Sequence, residues 1–290
     1  MTHSNLLAGL ASAVAVIFIW SGFIVFSRLG VTTGLTAYDV TALRFMAAGL
    51  IVLPFAWAWW PRELPWKVVI GMAVCGPGAL YSVLMYLGLT DASAAYGGVF
   101  ANGSLPIFTT LLVLILTGAR PKPLQLLAVA VIMAGGAVLG YRGMTAGGAD
   151  VVTGIALFLT ASAVLSFYIA GVQHWQVTPK QALALINIPN AVVFLPVWYF
   201  FLPSSMADAE VTTIAFQALF QGIGPGFLAV ILFAVAALHL GPTITSGFAA
   251  AVPASAALLA MPVLSETPTA LEWAGIGIVT LGLGVLMVKR

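Results

Sequence analysis

The chain has 290 residues, of which 62% are hydrophobic and only 6% charged, with a formal net charge of +2 and a mean hydropathy of +1.12. Soluble globular domains carry about a quarter of their residues as charges, so this composition excludes that class. The absence of any basic run leaves nucleic-acid binding without a footprint. A single cysteine, Cys75, excludes an internal disulfide and offers no thiolate cluster for a metal; neither metal nor cofactor is expected.

A helix needs about 20 apolar residues to cross roughly 30 Å of hydrocarbon. Ten such stretches are predicted, at 7–29, 36–58, 66–89, 92–117, 123–141, 151–173, 180–202, 211–238, 243–264 and 270–288. The first is too long for a signal-peptide core and is read as a retained span. Trp20 lies in its middle. In the second, Arg44 is the one charge well inside a span, where it costs about 2.5–3.5 kcal/mol on insertion scales. Three readings of Arg44 stay open: snorkelling to the near surface, capping of a carbonyl, and a direct role with a solute or gate. Trp57, Trp59, Trp60 and Trp66 read as an interfacial belt.

The third stretch is interrupted by Gly76-Pro77-Gly78, and Gly78, Tyr81, Ser82 and Met85 then share one helical face. In the fourth, Tyr96, Phe100 and Gly103 share a face, and Asn102 sits one turn before Pro106. The fifth and tenth are glycine ridges (Gly135, Gly136, Gly140; Gly275, Gly277, Gly282, Gly284), which let helices approach closely in lipid; packing within one chain or between two copies stays open. Phe167 and Tyr168 lie in the sixth. Gly224-Pro225-Gly226 and Pro253 then interrupt the eighth and ninth, 148 and 147 positions after their counterparts. Helix breakers are costly in hydrocarbon unless protein or a water-lined cavity satisfies the freed backbone groups. Paired breaks in matching places of two halves point to a transport site at the repeat interface.

Positive charges set the orientation. With a cytoplasmic N-terminus, the inner segments collect Arg62, Lys67, Arg120, Lys122, Lys180, Lys289 and Arg290, and the outer ones only Arg28 and Arg142. Both termini are therefore expected in the cytoplasm. The polar, glycine-rich stretch 143–150 is the one candidate linker; it divides the chain into a first repeat, 1–142, and a second, 151–290, of five spans each. An odd number of spans per repeat forces the two copies into opposite orientations. The expected fold is thus all-α and integral to the membrane, ten helices as two inverted five-helix repeats.

Ile19-Trp20-Ser21-Gly22-Phe23, Leu43-Arg44-Phe45, and the segment from Tyr86 through Asp91-Ala92-Ser93-Ala94-Ala95 and Pro106 to Gly118–Leu126 carry a family resemblance. Together they resemble the drug/metabolite transporter superfamily, EamA-type, over the whole chain, and within it the YddG-type aromatic amino acid exporters. The usual Gly-Glu-Arg exit survives only in fragments, as Gly118-Ala119-Arg120 and Ser265-Glu266-Thr267. The resemblance implies a multi-pass protein of the bacterial inner membrane, a basket with helices 3, 4, 8 and 9 near the substrate path and 5 and 10 peripheral.

An aromatic-lined cavity with few polar groups suits an amphipathic solute, since ring faces stack at roughly 0.5–1.5 kcal/mol beyond area burial and attract ammonium groups. Trp20, Tyr81, Ser82, Met85, Phe100, Asn102 and Tyr168 are the candidate contacts. Gly76, Pro77, Gly78, Pro106, Gly224, Pro225, Gly226 and Pro253 are the candidate bending points for alternating access. No Asp or Glu occupies the middle of a span, which argues against a carboxylate-driven proton antiporter and against cationic drug efflux. Only one deep cation argues against sugar phosphates. Export of aromatic or neutral amino acids and related metabolites, facilitative and by one chain, is the expectation, with multidrug or other metabolite efflux as the alternative. The partners are then a small-molecule substrate and the lipid bilayer. A remote third reading is an intramembrane hydrolase built on Asn102-Gly103-Ser104, but Leu105 and Pro106 follow, and His174 and His239 lie near span ends. A nucleophile without a base is unactivated.

Overall fold

In the computed structural model of the chain, residues 3–118, 120–240, 245 and 248–286 are described. Among the described residues, eight helices are long and apolar enough to cross a membrane: α1 (Asn5–Thr32), α2 (Ala37–Trp59), α3 (Trp66–Asp91), α4 (Ala94–Ile115), α5 (Pro123–Ala146), α6 (Gly148–His174), α7 (Pro179–Phe201) and α8 (Val211–Leu240). Two further apolar helices, α9 (Val252–Leu264) and α10 (Ala270–Val285), are shorter. Met1, Ala119, Lys289 and Arg290, with residues 243, 244, 246 and 247 of the ninth predicted stretch and 287 and 288 of the tenth, lie outside the described residues.

Local chemistry sets the helix ends. Thr36 with Asp39, Thr178 with Gln181 and Thr269 with Glu272 form reciprocal capping boxes that start α2, α7 and α10, each satisfying two orphan backbone donors. Left-handed residues, Gly118 (φ 67°) and Ser265 (φ 56°), follow the last turns of α4 and α9, the geometry that closes a helix onto its own carbonyls. The expected linker 143–150 differs from the structure: α5 runs to Ala146 and α6 begins at Gly148. Met144-Thr145-Ala146 continue the helix, and the reversal needs only Gly147 and the positive φ of Gly148, +73°, which glycine adopts without steric strain.

α1 packs on α8 and α9, and α6 packs on α3 and α4; α2 packs on α8 and α7 on α3; α2–α7, α4–α9 and α5–α10 are further pairs. Exchanging each helix for the one five places along returns this same set. Other pairs lack a counterpart among the described residues: α1 also packs on α3 and α4 with no packing of like extent of α6 on α8 or α9, and α5 packs on α6, and α4 on α10, without equivalents. The glycine ridges meet within the chain. A Cβ at Gly135 would lie 2.8 Å from the Gly275 carbonyl, and one at Gly282 would lie 3.0 Å from the Ile132 nitrogen.

The main apolar core joins Phe23, Ile24 and Val31 of α1 to Leu43, Tyr86, Leu89, Val99, Phe158, Ala257 and Ile276. It occupies the half of the bundle that holds the α1–α2, α3–α4 and α9–α10 turns, which the charge bias assigns to the outside and which is called the outer end below. Toward the opposite end the packing divides into separate clusters, around Met72 and Leu185, Phe45 and Ile186, Val52 and Leu183, and Ala13 and Ala236.

Candidate functional site

The backbone of α3 is interrupted where Gly76-Pro77-Gly78 separates Trp66–Cys75 from Ala79–Asp91. A break at this depth exposes amides and carbonyls that hydrocarbon cannot solvate. Asn190 of α7 bridges it. Its side-chain carbonyl accepts from the Ala79 amide at 2.8 Å, and its NH2 donates to Ala73 O at 3.1 Å and to Ile186 O at 2.8 Å. A Cβ at Gly78 would lie 2.7 Å from Asn190 Nδ2, so only glycine admits the amide. Pro77 O accepts from Arg44 Nη2 at 3.2 Å.

The second Gly-Pro-Gly run behaves differently. α8 continues through it as a π-helical stretch, Gly224–Leu228, and Asn187 of α7 donates to Gly226 O at 3.1 Å and to Leu183 O at 3.0 Å. Asn187 and Asn190 are three residues apart and thus on one helix face, so a single helix serves both irregular sites. Pro106 and Pro253 lie just past local breaks in their stretches. Each sits at the second position of a helical segment that starts just after a turn, at Ser104 and at 250–251, where a missing N–H is no loss; in α4 the π-helical stretch Gly98–Gly103 precedes that turn.

Arg44 is 4% exposed, so it does not snorkel. Its guanidinium turns toward the middle of α3, with Phe23 and Phe45 ring centroids at 5.2 and 5.6 Å. Arg44 Nε and the nearby Ser82 Oγ are buried without a hydrogen-bond partner. Beside them the Tyr86 hydroxyl donates to Gln221 Oε1 at 3.2 Å. Gln221 Nε2 donates to Ser27 Oγ at 2.9 Å and to Gln217 Oε1 at 3.2 Å, and Gln217 Nε2 donates to Phe26 O at 2.7 Å. This chain ties α1, α3 and α8 together at a depth where interhelical hydrogen bonds average about 0.6 kcal/mol each and networks polarise their members.

The sequence-predicted contacts divide into groups. Tyr81, Ser82 and Met85 share the buried face of α3 with Tyr86, and Phe23 stacks on Tyr81 at 6.4 Å. Trp20 is half-buried and stacks on Phe233 at 5.5 Å. Tyr168 lies beside the α3 break, 3.1 Å from where a Gly76 Cβ would stand. Phe100 faces Gly136 and Gly140 of α5 and stacks on Tyr96 at 6.1 Å, away from the Arg44 cluster. Asn102 is half-buried in the π-helical stretch, and Phe167 is exposed. Ser104 donates to Ser162 Oγ at 3.0 Å, while His174 packs edge-on against its neighbour Trp175 and His239 lies against Gly9, so neither serves Ser104 as a base. Asn187, Asn190, Gln217 and Gln221 were not read from the sequence, although four carboxamides inside apolar helices, at spacings of three and four, were the signal that could have found them.

At the outer end the Arg28 guanidinium pairs with Glu266 and donates to Leu89 O and, at 2.8 Å, to Ala92 O. The other Glu266 oxygen accepts from the Ala94 amide at 3.0 Å, and the Tyr96 hydroxyl donates to Glu272 at 3.2 Å. Arg28, Glu266 and Glu272 border a cavity of about 280 Å³. Asp39 accepts from Trp198 Nε1 at 2.9 Å and from the Ser205 amide at 3.0 Å, fixing α2 to the α7–α8 turn. Among the described residues no group of three or more His, Cys, Asp or Glu is placed to hold a metal.

Residues 7–141 match the EamA-like transporter family, a family of transporters and not of enzymes. The match covers 135 of the 290 residues, and eight of the described helices are long and apolar enough to cross a membrane. A solved crystal structure of a protein is similar at 20% identity with a TM-score of 0.64, covering 98% of this chain and 96% of that one; the likeness shows the fold. No curated protein matches.

Proposed function

We propose that this chain is a ten-span exporter of aromatic and neutral amino acids and related small amphipathic metabolites, of the YddG type, in a bacterial inner membrane with both termini cytoplasmic. Two inverted five-helix halves alternate access to a site between them, and movement is facilitative. The observation that carries the reading is the set of helix pairs that survives exchange of each helix with the one five places along. Such a set is what an inverted repeat produces, and transporters built so place their sites near mid-membrane at irregular helices. The α3 break, the π-helical stretch of α8 and the aromatic face of Phe23, Tyr81 and Tyr86 meet that description. The mid-span polar groups are amides, hydroxyls and one guanidinium, with no carboxylate, which suits neutral or zwitterionic solutes and uncoupled transport.

The asymmetry of packing fits one state of the cycle. Contacts of α1 with α3 and α4 close the outer end, and no contacts of like extent join α6 to α8 or α9 among the described residues. A competition panel on reconstituted vesicles tests the function. Labelled phenylalanine is expected to be displaced best by aromatic amino acids, less by aliphatic ones and not by viologen-like cations, at a rate a pH gradient leaves unchanged. Displacement by the cations alone would favour multidrug efflux, and strong acceleration by the gradient would defeat the facilitative reading.

A further inference from the structure

We infer that Arg44 holds the carboxylate of the transported solute, with Ser82 beside it as a hydroxyl donor and the Phe23 and Tyr81 rings against the apolar body. The inference rests on the transport reading above and names the charged group that this site recognises. A guanidinium carries five N–H donors in a planar fork shaped for carboxylate. Here it is 4% exposed, donates to Pro77 O, lies beside the Tyr86 hydroxyl, and leaves Nε unpartnered. The ion pair among the described residues is Arg28 with Glu266, so Arg44 has no carboxylate of the protein's own. A buried charge needs an opposite one, and a solute supplies it. Ser82 Oγ is the second buried group without a partner in this place, and Ser27, Ser82 and Arg44 all bear on the Tyr86 hydroxyl. The rings at 5.2 and 5.6 Å hold the cation by its faces while the fork is empty. The site is closed in this state, so a solute reaches it as the halves separate.

Arg44→Gln separates recognition from structure, because a glutamine amide can still donate to Pro77 O but carries no charge. Vesicles loaded with labelled phenylalanine are challenged with phenylpropionate, phenylalaninamide and phenethylamine. In the wild type the acid is expected to compete roughly tenfold or more better than the two amines, the scale of a charge-assisted hydrogen bond. In R44Q that preference disappears, and in R44K part of it remains because an ammonium is a point charge without the fork. An undiminished preference for the acid in R44Q would overturn the assignment. Should R44Q fail to fold, the melting temperature of purified wild type decides: phenylpropionate raises it and phenethylamine does not, and equal shifts would overturn the assignment. A wild type that carries none of these solutes sinks the transport reading itself, while the acid-against-amine melting shift still decides for Arg44.

Discussion

Replacing Asn190 with alanine is expected to lower stability by about 2–4 kcal/mol, the largest loss among single polar substitutions inside the bundle. The variant leaves the Ala79 amide and the Ala73 carbonyl unpaired at the α3 break, and each buried unsatisfied group costs about 1–3 kcal/mol. The third bond, to Ile186 O, lies within α7, and its loss adds little. Asn187→Ala is expected to cost nearer 1 kcal/mol, because Gly226 O belongs to a helix that continues. Thermal melting of both variants in detergent measures the contrast. Equal losses, or none for Asn190, would show that the break is satisfied by something other than α7.

Removal of the Arg28 side chain is expected to free the outer end. Its guanidinium joins α1 to the α9–α10 turn through Glu266 and to the α3–α4 turn through Leu89 O and Ala92 O, so one residue ties both halves. The side chains are 17% and 21% exposed, which sets the loss at about 2–3 kcal/mol, below the 3–5 of a fully buried pair. In a Cys75→Ala background, cysteines placed at Ala95 or Ala260, which border the outer cavity, are expected to react about tenfold or more faster with an impermeant thiol reagent in R28A, since 1.4 kcal/mol is already a factor of ten. Glu266→Gln keeps an oxygen for the Ala94 amide and gives a smaller rise. Unchanged labelling in R28A would deny that this pair holds the outer end shut.

The sequence positions corresponding to Arg28 and Glu266 in the other half, 147 residues away, are Trp175 and Ala119. Neither residue is charged, so the Arg28–Glu266 pair has no equivalent between those two positions.

How much of this was legible follows from what sequence patterns encode. Apolar run length marked the helices, because hydrocarbon thickness sets it, and proline and glycine marked the irregular backbone, because their own stereochemistry makes it. What Gly-Pro-Gly does in each place was not legible: it breaks α3 and only widens α8, because different neighbours receive it, Asn190 and Arg44 in one case and Asn187 in the other. The polar 143–150 stretch read as a linker since glycine content outweighed Met144-Thr145-Ala146 in that reading, whereas one glycine pair suffices for the reversal. Tyr81, Ser82 and Met85 were found by helical spacing, which a local pattern carries. Phe23 opposite Tyr81, Gln221 opposite Tyr86 and Arg44 opposite Pro77 are meetings between distant segments, and no local periodicity encodes them. Phe100 is a candidate solute contact for its aromatic character, but its ring faces Gly136 and Gly140.

The central claim is that two inverted halves open in turn around one site. Electron–electron distance measurements in liposomes test it, with spin labels at Thr33 and Thr267 across the outer end and at Lys122 and Gln176 across the inner end. On adding phenylalanine the outer pair is expected to move apart as the inner pair draws together, a reciprocal change in a single population. Distances that stay fixed at both ends, or that grow and shrink together, would contradict it.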